Sequence, residues 1–221
     1  PLPVIPDTEP TAVEKQIAGH VLPHIHDGSC IQLGVGGVPA AIGTMISHSD
    51  LKDLGVHTEM YVDAFRKMTE AGKINGARKN IDRYKQVMSF ALGSKELYDF
   101  LDDNPGIIAY PVEYTNNVET IAKLDNFISV NACIEVDLFG QVCSESIGTV
   151  HYGGTGGQLD FVNGAYLSRG GQSFICMTST YSGKDGTVSR IRPILTPGAI
   201  VTDPRTSVHK IATEFGVANL K

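Results

Sequence analysis

Residues 29–39 run SCIQLGVGGVP. Ser29 to Val35 is a short apolar run of the length expected for a buried strand. It breaks at Gly34-Val35-Gly36-Gly37, and Pro39 then stands where proline suits the first turn of a helix, expected over 40–47. A strand that feeds a helix through a glycine turn is the repeating step of an α/β sheet.

The same step recurs on both sides. Upstream, Val13, Ile17 and Val21 recur at helical spacing in residues 11–26, and Pro23 should end or bend that helix. Downstream, residues 54–57 form a short strand. Thr58 then serves as N-cap to a helix over 59–70 with an apolar stripe of Tyr61, Phe65 and Met68, stopped at Gly72. Strands are expected in 84–92, at 107–110 and at 173–178, with helices over 95–102, 117–124 and 160–169. Residues 127–138 and 141–150 suit an antiparallel pair turning at Gly140. Lys184-Asp185-Gly186 marks a turn, strands follow near 188–194 and 199–202, and a helix is expected over 206–214. The fold class is therefore α/β, with a mixed, largely parallel sheet flanked by helices.

Composition sets the bounds. At roughly 100–200 residues per domain, 221 residues make one domain. Residues 1–10, rich in proline, are expected to form an extended linker, and residues 11–221 the domain. With 42% hydrophobic and 19% charged residues, the chain can bury a core and is not disordered. The net charge of -6, with no basic block, argues against nucleic acid as a partner. No apolar run is long enough for a membrane span. Cys30, Cys133, Cys143 and Cys176 are scattered and mostly in apolar surroundings, so reduced, buried thiols and a cytoplasmic location are expected. The first residue is Pro1 and not Met, which fits either removal of an initiator Met or a piece of a longer chain. The ending at Val217-Ala218-Asn219-Leu220-Lys221 does not resemble a polar tail and favours the second reading.

Three stretches carry chemistry: Gly34-Val35-Gly36-Gly37-Val38-Pro39, His57-Thr58-Glu59-Met60-Tyr61-Val62-Asp63 and Gly154-Thr155-Gly156-Gly157-Gln158-Leu159-Asp160-Phe161. Residues 131–140 (NACIEVDLFG), 198–205 (GAIVTDPR) and 213–220 (TEFGVANL) support them. Taken alone, each has an ordinary explanation. The first is a tight turn, and Pro39 stands where a dinucleotide fingerprint needs its third glycine. Glu59 is an acidic residue in a helix's first turn. Four glycines within 153–157 read as a flexible loop, although their cost to order favours a close backbone approach or a ligand. In order along one chain, the six stretches resemble the acetyl-CoA hydrolase/transferase family, and within it the 4-hydroxybutyrate and butyryl-CoA:acetate CoA-transferases. The resemblance runs from about residue 11 to 221.

That resemblance implies a CoA-transferase-like domain of the NagB/RpiA/CoA transferase-like class, corresponding to the C-terminal half of a longer, two-half enzyme. It implies ping-pong transfer of coenzyme A between a short-chain acyl-CoA and a carboxylate such as acetate, with Glu59 as nucleophile and a glutamyl-CoA thioester as intermediate. Acyl-CoA hydrolysis by the same glutamate and an inactive CoA-binding piece are the alternatives. Val35 or Gly36 would give one backbone donor to the oxyanion, and the loop from Gly154 to Gln158 another. Asn116 would orient the carboxylate or bond the acyl oxygen, although Asn116 or Asn117 could equally cap a helix. Gly154, Gly156, Gly157, Gln158, Lys184 and Arg192 are the candidate CoA contacts. No tightly bound cofactor and no metal are implied, because coenzyme A is substrate and transient adduct. His20, His24 and His26 near Cys30 are interrupted by Pro23 and a helix–strand boundary, which is poor metal-ligand geometry. His57 invites an acid–base pairing with Glu59, which the family's route does not require. Partners would be acyl-CoA, short carboxylic acids, the missing N-terminal half and further copies in a homo-oligomer.

Overall fold

A computed structural model describes residues 2–183 and 186–221. Its centre is a six-stranded sheet built from β1 (Cys30–Leu33), β2 (Gly55–Val56), β3 (Phe127–Ala132), β4 (Gln172–Cys176), β5 (Lys210–Thr213) and β6 (Gly216–Asn219). The order across the sheet is β6-β5-β4-β3-β1-β2. All neighbours are parallel except β5 and β6, which form an antiparallel hairpin. The α/β class with a mixed, largely parallel sheet is what the structure has.

Helices cover both faces, which is why β1 and β5 are buried at every position and β4 at all but its first, rather than at alternate residues. On one face α1 (Ala12–Val21), α2 (Gly37–Ser47) and α3 (Asp63–Glu70) pack over Ile31, Leu33, Ile128 and Val130. A short helix, α4 (Lys95–Leu101), adds Leu97 to that core. On the other face lie α6 (Val118–Ala122) and α7 (Gln158–Leu167), preceded by one turn of helix, α5 (Val112–Thr115). There Cys30, Ile121, Phe127, Phe161 and Ala165 form a second cluster. Because strand side chains alternate, Gln32 follows Cys30 on this second face, and Ser129 and Asn131 follow Phe127. The surface under α7 therefore changes from apolar to polar toward the C-terminal ends of β1 and β3.

Local signals account for several helix starts. Thr11 caps α1 in a capping box with Glu14. Ser94 accepts a bond from the Leu97 N–H at the start of α4, and Asn117 accepts one from the Thr120 N–H at 2.9 Å at the start of α6.

Three expectations need correction. The helix expected from residue 59 starts at Asp63. Met60 and Tyr61 are extended and pair in parallel with Phe90 and Ala91, and the Glu59 carbonyl accepts the Ser89 N–H at 2.8 Å and the Phe90 N–H at 3.1 Å. Those bonds hold Glu59 off the helix. The helix expected over 206–214 is absent. Residues Lys210–Thr213 are instead a fully buried strand between β4 and β6, where ladder pairing on both sides overrides the local pattern. Residues 199–202 are not a strand; beside them Asp203 makes an isolated antiparallel bridge to Val142, which lies in a separate three-stranded sheet. The turn residues Lys184 and Asp185 lie outside the described residues.

The proline-rich start runs along the surface, with the Ile5 N–H donating to the Gly93 carbonyl at 2.9 Å and Asp7 paired with Lys67 at 2.5 Å. All four cysteines are buried and unbridged. Burial pushes the Cys30 thiol up to about 11 and the Cys176 thiol up to about 12, so neither is an available thiolate near neutrality. Among the described residues no helix is long and apolar enough to cross a membrane.

Candidate active site

The connections of the sheet define where a ligand fits. From β1 the chain goes to β2 on one side and later returns to β3 on the other, so the order reverses between β1 and β3. Crevices in open α/β sheets form beyond the carboxyl ends of the strands at such a point. A cleft of about 340 Å³ lies there, lined among others by Leu33, Gly34 and Val35 after β1, Glu59 after β2, and Asn131 and Ala132 at the end of β3. Gly154, Gly156, Gly157 and Gln158, leading into α7, close it from the other side.

Glu59 enters this cleft half-buried. Its Oε2 accepts the backbone N–H of Gly157 at 2.9 Å. Gly157 is the N-cap of α7, so the carboxylate sits at a helix N-terminus, although not that of the helix expected to follow Glu59. Unpaired N–H groups at such an end favour an anion by roughly 0.3–1 kcal/mol. The contact depends on a missing side chain: a Cβ on Gly157 would fall 2.5 Å from Glu59 Oε2 and 2.3 Å from Asn116 Nδ2. Carboxylate, amide and backbone N–H thus converge on one point. Asn116, not Asn117, is the asparagine at Glu59, since Asn117 is occupied in capping α6.

The loop that delivers Gly157 is tied down from behind. Thr155 Oγ1 donates to Glu145 Oε2 at 3.0 Å. Gln158 Nε2 donates to Ser144 Oγ at 2.8 Å and to Asp203 Oδ2 at 2.7 Å. The Gln158 amide nitrogen is therefore engaged with the protein. Asp203 is fully buried, and burial raises its carboxyl to about 6, with Glu145 adding to the rise and the Gln158 bond opposing it. In the cleft floor, Gln32 Nε2 donates to Asn131 Oδ1 at 3.0 Å, while Ser129 Oγ and Asn131 Nδ2 donate to Gln32 Oε1 at 2.7 and 3.1 Å. This closed network satisfies buried amides that would otherwise be costly. By contrast, a side chain on Gly153 or Gly154 would meet nothing within 4 Å, so packing does not require glycine there.

The remaining candidates are dispersed. Val35 is half exposed and lines the cleft, whereas Gly36 caps α2 and faces a second cleft beside residues 5–8 and α3. Arg192 is outside the Glu59 cleft, on a two-residue strand beside Glu135–Asp137, with its Nε 3.8 Å from Glu135. Lys184 lies outside the described residues. His57 is fully buried, burial lowers it to about 4, and its Nε2 lies 2.8 Å from the Thr115 carbonyl, so the ring is neutral and bonded to Thr115. Asp63, in the first turn of α3, is buried and accepts both the Ser94 N–H at 2.8 Å and its hydroxyl at 2.6 Å. No group of three or more His, Cys, Asp or Glu side chains among the described residues has metal-binding geometry. The sequence reading missed Thr115, Ser144, Glu145 and Asp203. Asp203 stood in a quoted stretch and Thr115 stands next to the chosen Asn116, but neither was given a role, because a polar residue gains meaning from partners distant in sequence.

Residues 93–221 match the acetyl-CoA hydrolase/transferase C-terminal domain, and the chain belongs to the acetyl-CoA hydrolase/transferase family. Over all 221 residues it is 63% identical to the "Probable butyrate:acetyl-CoA coenzyme A-transferase" of Syntrophomonas wolfei, covering 49% of that protein. It is 46% identical over 209 residues (95% of this chain, 48% of the relative) to the 4-hydroxybutyrate coenzyme A transferase of Clostridium kluyveri. The crystal structure of RipA from Yersinia pestis superposes with a TM-score of 0.92 at 40% identity, covering 100% of this chain and 49% of that one. The chain thus spans about half the length of the curated relatives it matches.

Proposed function

We propose that this chain carries the nucleophile-bearing part of a CoA-transferase that exchanges coenzyme A between a short-chain acyl-CoA and a carboxylate such as acetate, with Glu59 as the nucleophile. The observation that carries the reading is the Glu59 carboxylate held 2.9 Å from the Gly157 N–H at the start of α7, beside Asn116, in the crevice at the sheet's switch point.

A Glu59 carboxylate oxygen adds to the thioester carbonyl carbon. The C–S bond then breaks, giving a mixed anhydride on Glu59 and CoA thiolate. The thiolate attacks the Glu59 side-chain carbonyl carbon and expels the acyl group as a free carboxylate, which leaves a glutamyl-CoA thioester. A second carboxylate reverses the sequence. No electrons are gained or lost, and water takes no part. Each tetrahedral intermediate carries an oxyanion, and a fixed donor aimed at such a charge is worth about 3 kcal/mol. The Gly157 N–H, the Asn116 amide and the Val35 N–H at the opposite rim are the donors in this reading. Gly153 and Gly154, free of packing constraints, leave a lane for the pantetheine arm. The half of the relatives that lies beyond this chain would supply the other wall.

The test is a trapped adduct. The natural protein carrying these residues is incubated with butyryl-CoA or acetyl-CoA without acceptor, digested, and the Glu59 peptide weighed. A CoA thioester on Glu59 that is discharged by acetate is expected, and Glu59→Gln should abolish both adduct and transfer. Unchanged transfer in Glu59→Gln overturns the assignment.

A further inference from the structure

Resting on the reading of Glu59 as nucleophile, we propose that His57, Ser89 and Thr115 are positioning residues that fix the Asn116 amide with its nitrogen turned toward Glu59. None of the three touches the cleft. Their bonds form one ladder behind it.

Thr115 is the last residue of α5 and is fully buried. Its hydroxyl donates to Asn116 Oδ1 at 3.1 Å. Having spent its only hydrogen there, it accepts the hydroxyl hydrogen of Ser89, with which it is in contact. The Asn116 carbonyl oxygen is thereby occupied, and the Nδ2 hydrogens are left for the point where Gly157 and Glu59 Oε2 converge. Asn116 is thus presented as a donor, which suits a carboxylate and a developing oxyanion, and not as an acceptor, which would repel both.

The ladder also sets the distance to Glu59. His57 Nε2 lies 2.8 Å from the Thr115 carbonyl. A carbonyl only accepts, so the imidazole must hold its hydrogen on Nε2. Burial keeps the ring neutral down to about pH 4, so that tautomer needs no second proton. His57 Nδ1 is buried without a partner, which ordinary packing would not select. The ring itself is wedged among Tyr114, Phe127 and Phe161. Two residues on, the Glu59 carbonyl accepts the Ser89 N–H at 2.8 Å. The segment bearing the nucleophile is therefore bonded through His57 to the turn bearing Asn116, and through its own carbonyl to the residue that feeds Thr115.

Two substitutions at Thr115 separate this from a packing role. Thr115→Val keeps the shape and loses the hydroxyl, while Thr115→Ser keeps the hydroxyl and loses a methyl. In the natural protein carrying these residues, Thr115→Val should lower kcat for CoA transfer at least tenfold with KM for acyl-CoA changed less than threefold. Thr115→Ser should stay within threefold of the parent kcat even where its Tm falls. Crystal structures should show the Asn116 amide plane kept in Thr115→Ser and rotated in Thr115→Val, a readout that needs no turnover. Full activity in Thr115→Val, or equal losses in both variants, overturns the inference. Glu59→Gln measured alongside tells the two failures apart. If it abolishes transfer while Thr115→Val does not, only the ladder is wrong; if it leaves transfer intact, the nucleophile assignment is wrong, and the Asn116 orientation is then judged by the crystal structures alone.

Discussion

At Gly157 the backbone φ is -81°, a value open to any residue, so its constraint is one of space and not of conformation. An added methyl would stand inside contact distance of both Glu59 Oε2 and Asn116 Nδ2. Each of those side chains can swing away, which makes the substitution cheap for folding and expensive for geometry. Gly157→Ala should therefore lower Tm by only a few degrees while cutting transfer by about 100-fold or more, the scale of losing one oxyanion donor. Thermal unfolding and steady-state kinetics on the same preparation would check it, and a variant with normal kcat would show that the convergence on Gly157 is incidental. Gly154→Ala provides the contrast, because its Cβ meets nothing. Any loss there should appear in KM for the CoA ester, where a bound pantetheine would fill the space.

Between elements, α6 and α7 cross where Gly164 faces Ile121, and a Cβ on Gly164 would lie 2.5 Å from Ile121 Cγ2. Overfilling a packed contact costs typically 1–3 kcal/mol. Here it has a second effect, because Asn116 immediately precedes the N-cap of α6 and Gly157 is the N-cap of α7. Prising the helices apart separates the two donors. Gly164→Ala should lower both Tm and kcat, and adding Ile121→Ala should restore part of the kcat; a double-mutant cycle with no coupling would refute the link. These elements also mark how far the sequence could be read. The runs at 29–35 and 173–178 announced β1 and β4 because strands covered on both faces are apolar throughout. Residues 210–213 gave no such signal, since Lys210 and Thr213 make sense in a strand only once β4 and β6 flank them. Met60 and Tyr61 were read as helix because their partners, Phe90 and Ala91, are 30 positions away. Glu59 and the glycine loop were legible through the order of the motifs. The ladder from His57 to Asn116 was not, because a buried serine or threonine has no pattern of its own.

For the molecule as a whole, two buried groups pull stability in opposite directions with pH. His57, facing Lys79 and Asp82 and bonded to Thr115, is lowered by burial from 6.5 to about 4. The unfolded chain binds that proton more readily, so the contribution is complete above pH 6.5 and is lost as pH falls toward 4. Asp203, facing Glu145 and bonded to Gln158, is raised from 3.8 to about 6. The folded chain binds that proton more readily, so its contribution is complete below 3.8 and is lost as pH rises through 6. At about 1.4 kcal/mol per unit, each effect is roughly 3 kcal/mol, and between pH 4 and 6 they offset one another. Asp203→Asn keeps the shape and the acceptor for Gln158 while removing the titration. Its stability in urea should climb steeply from pH 4 to 6.5 on the His57 contribution alone, where the parent curve is much flatter. It should also exceed the parent above pH 7, where the buried Asp203 carboxylate is ionised. Parallel curves for the two proteins would mean that Asp203 does not titrate in this window, and that the tether behind the glycine loop carries its charge at every working pH.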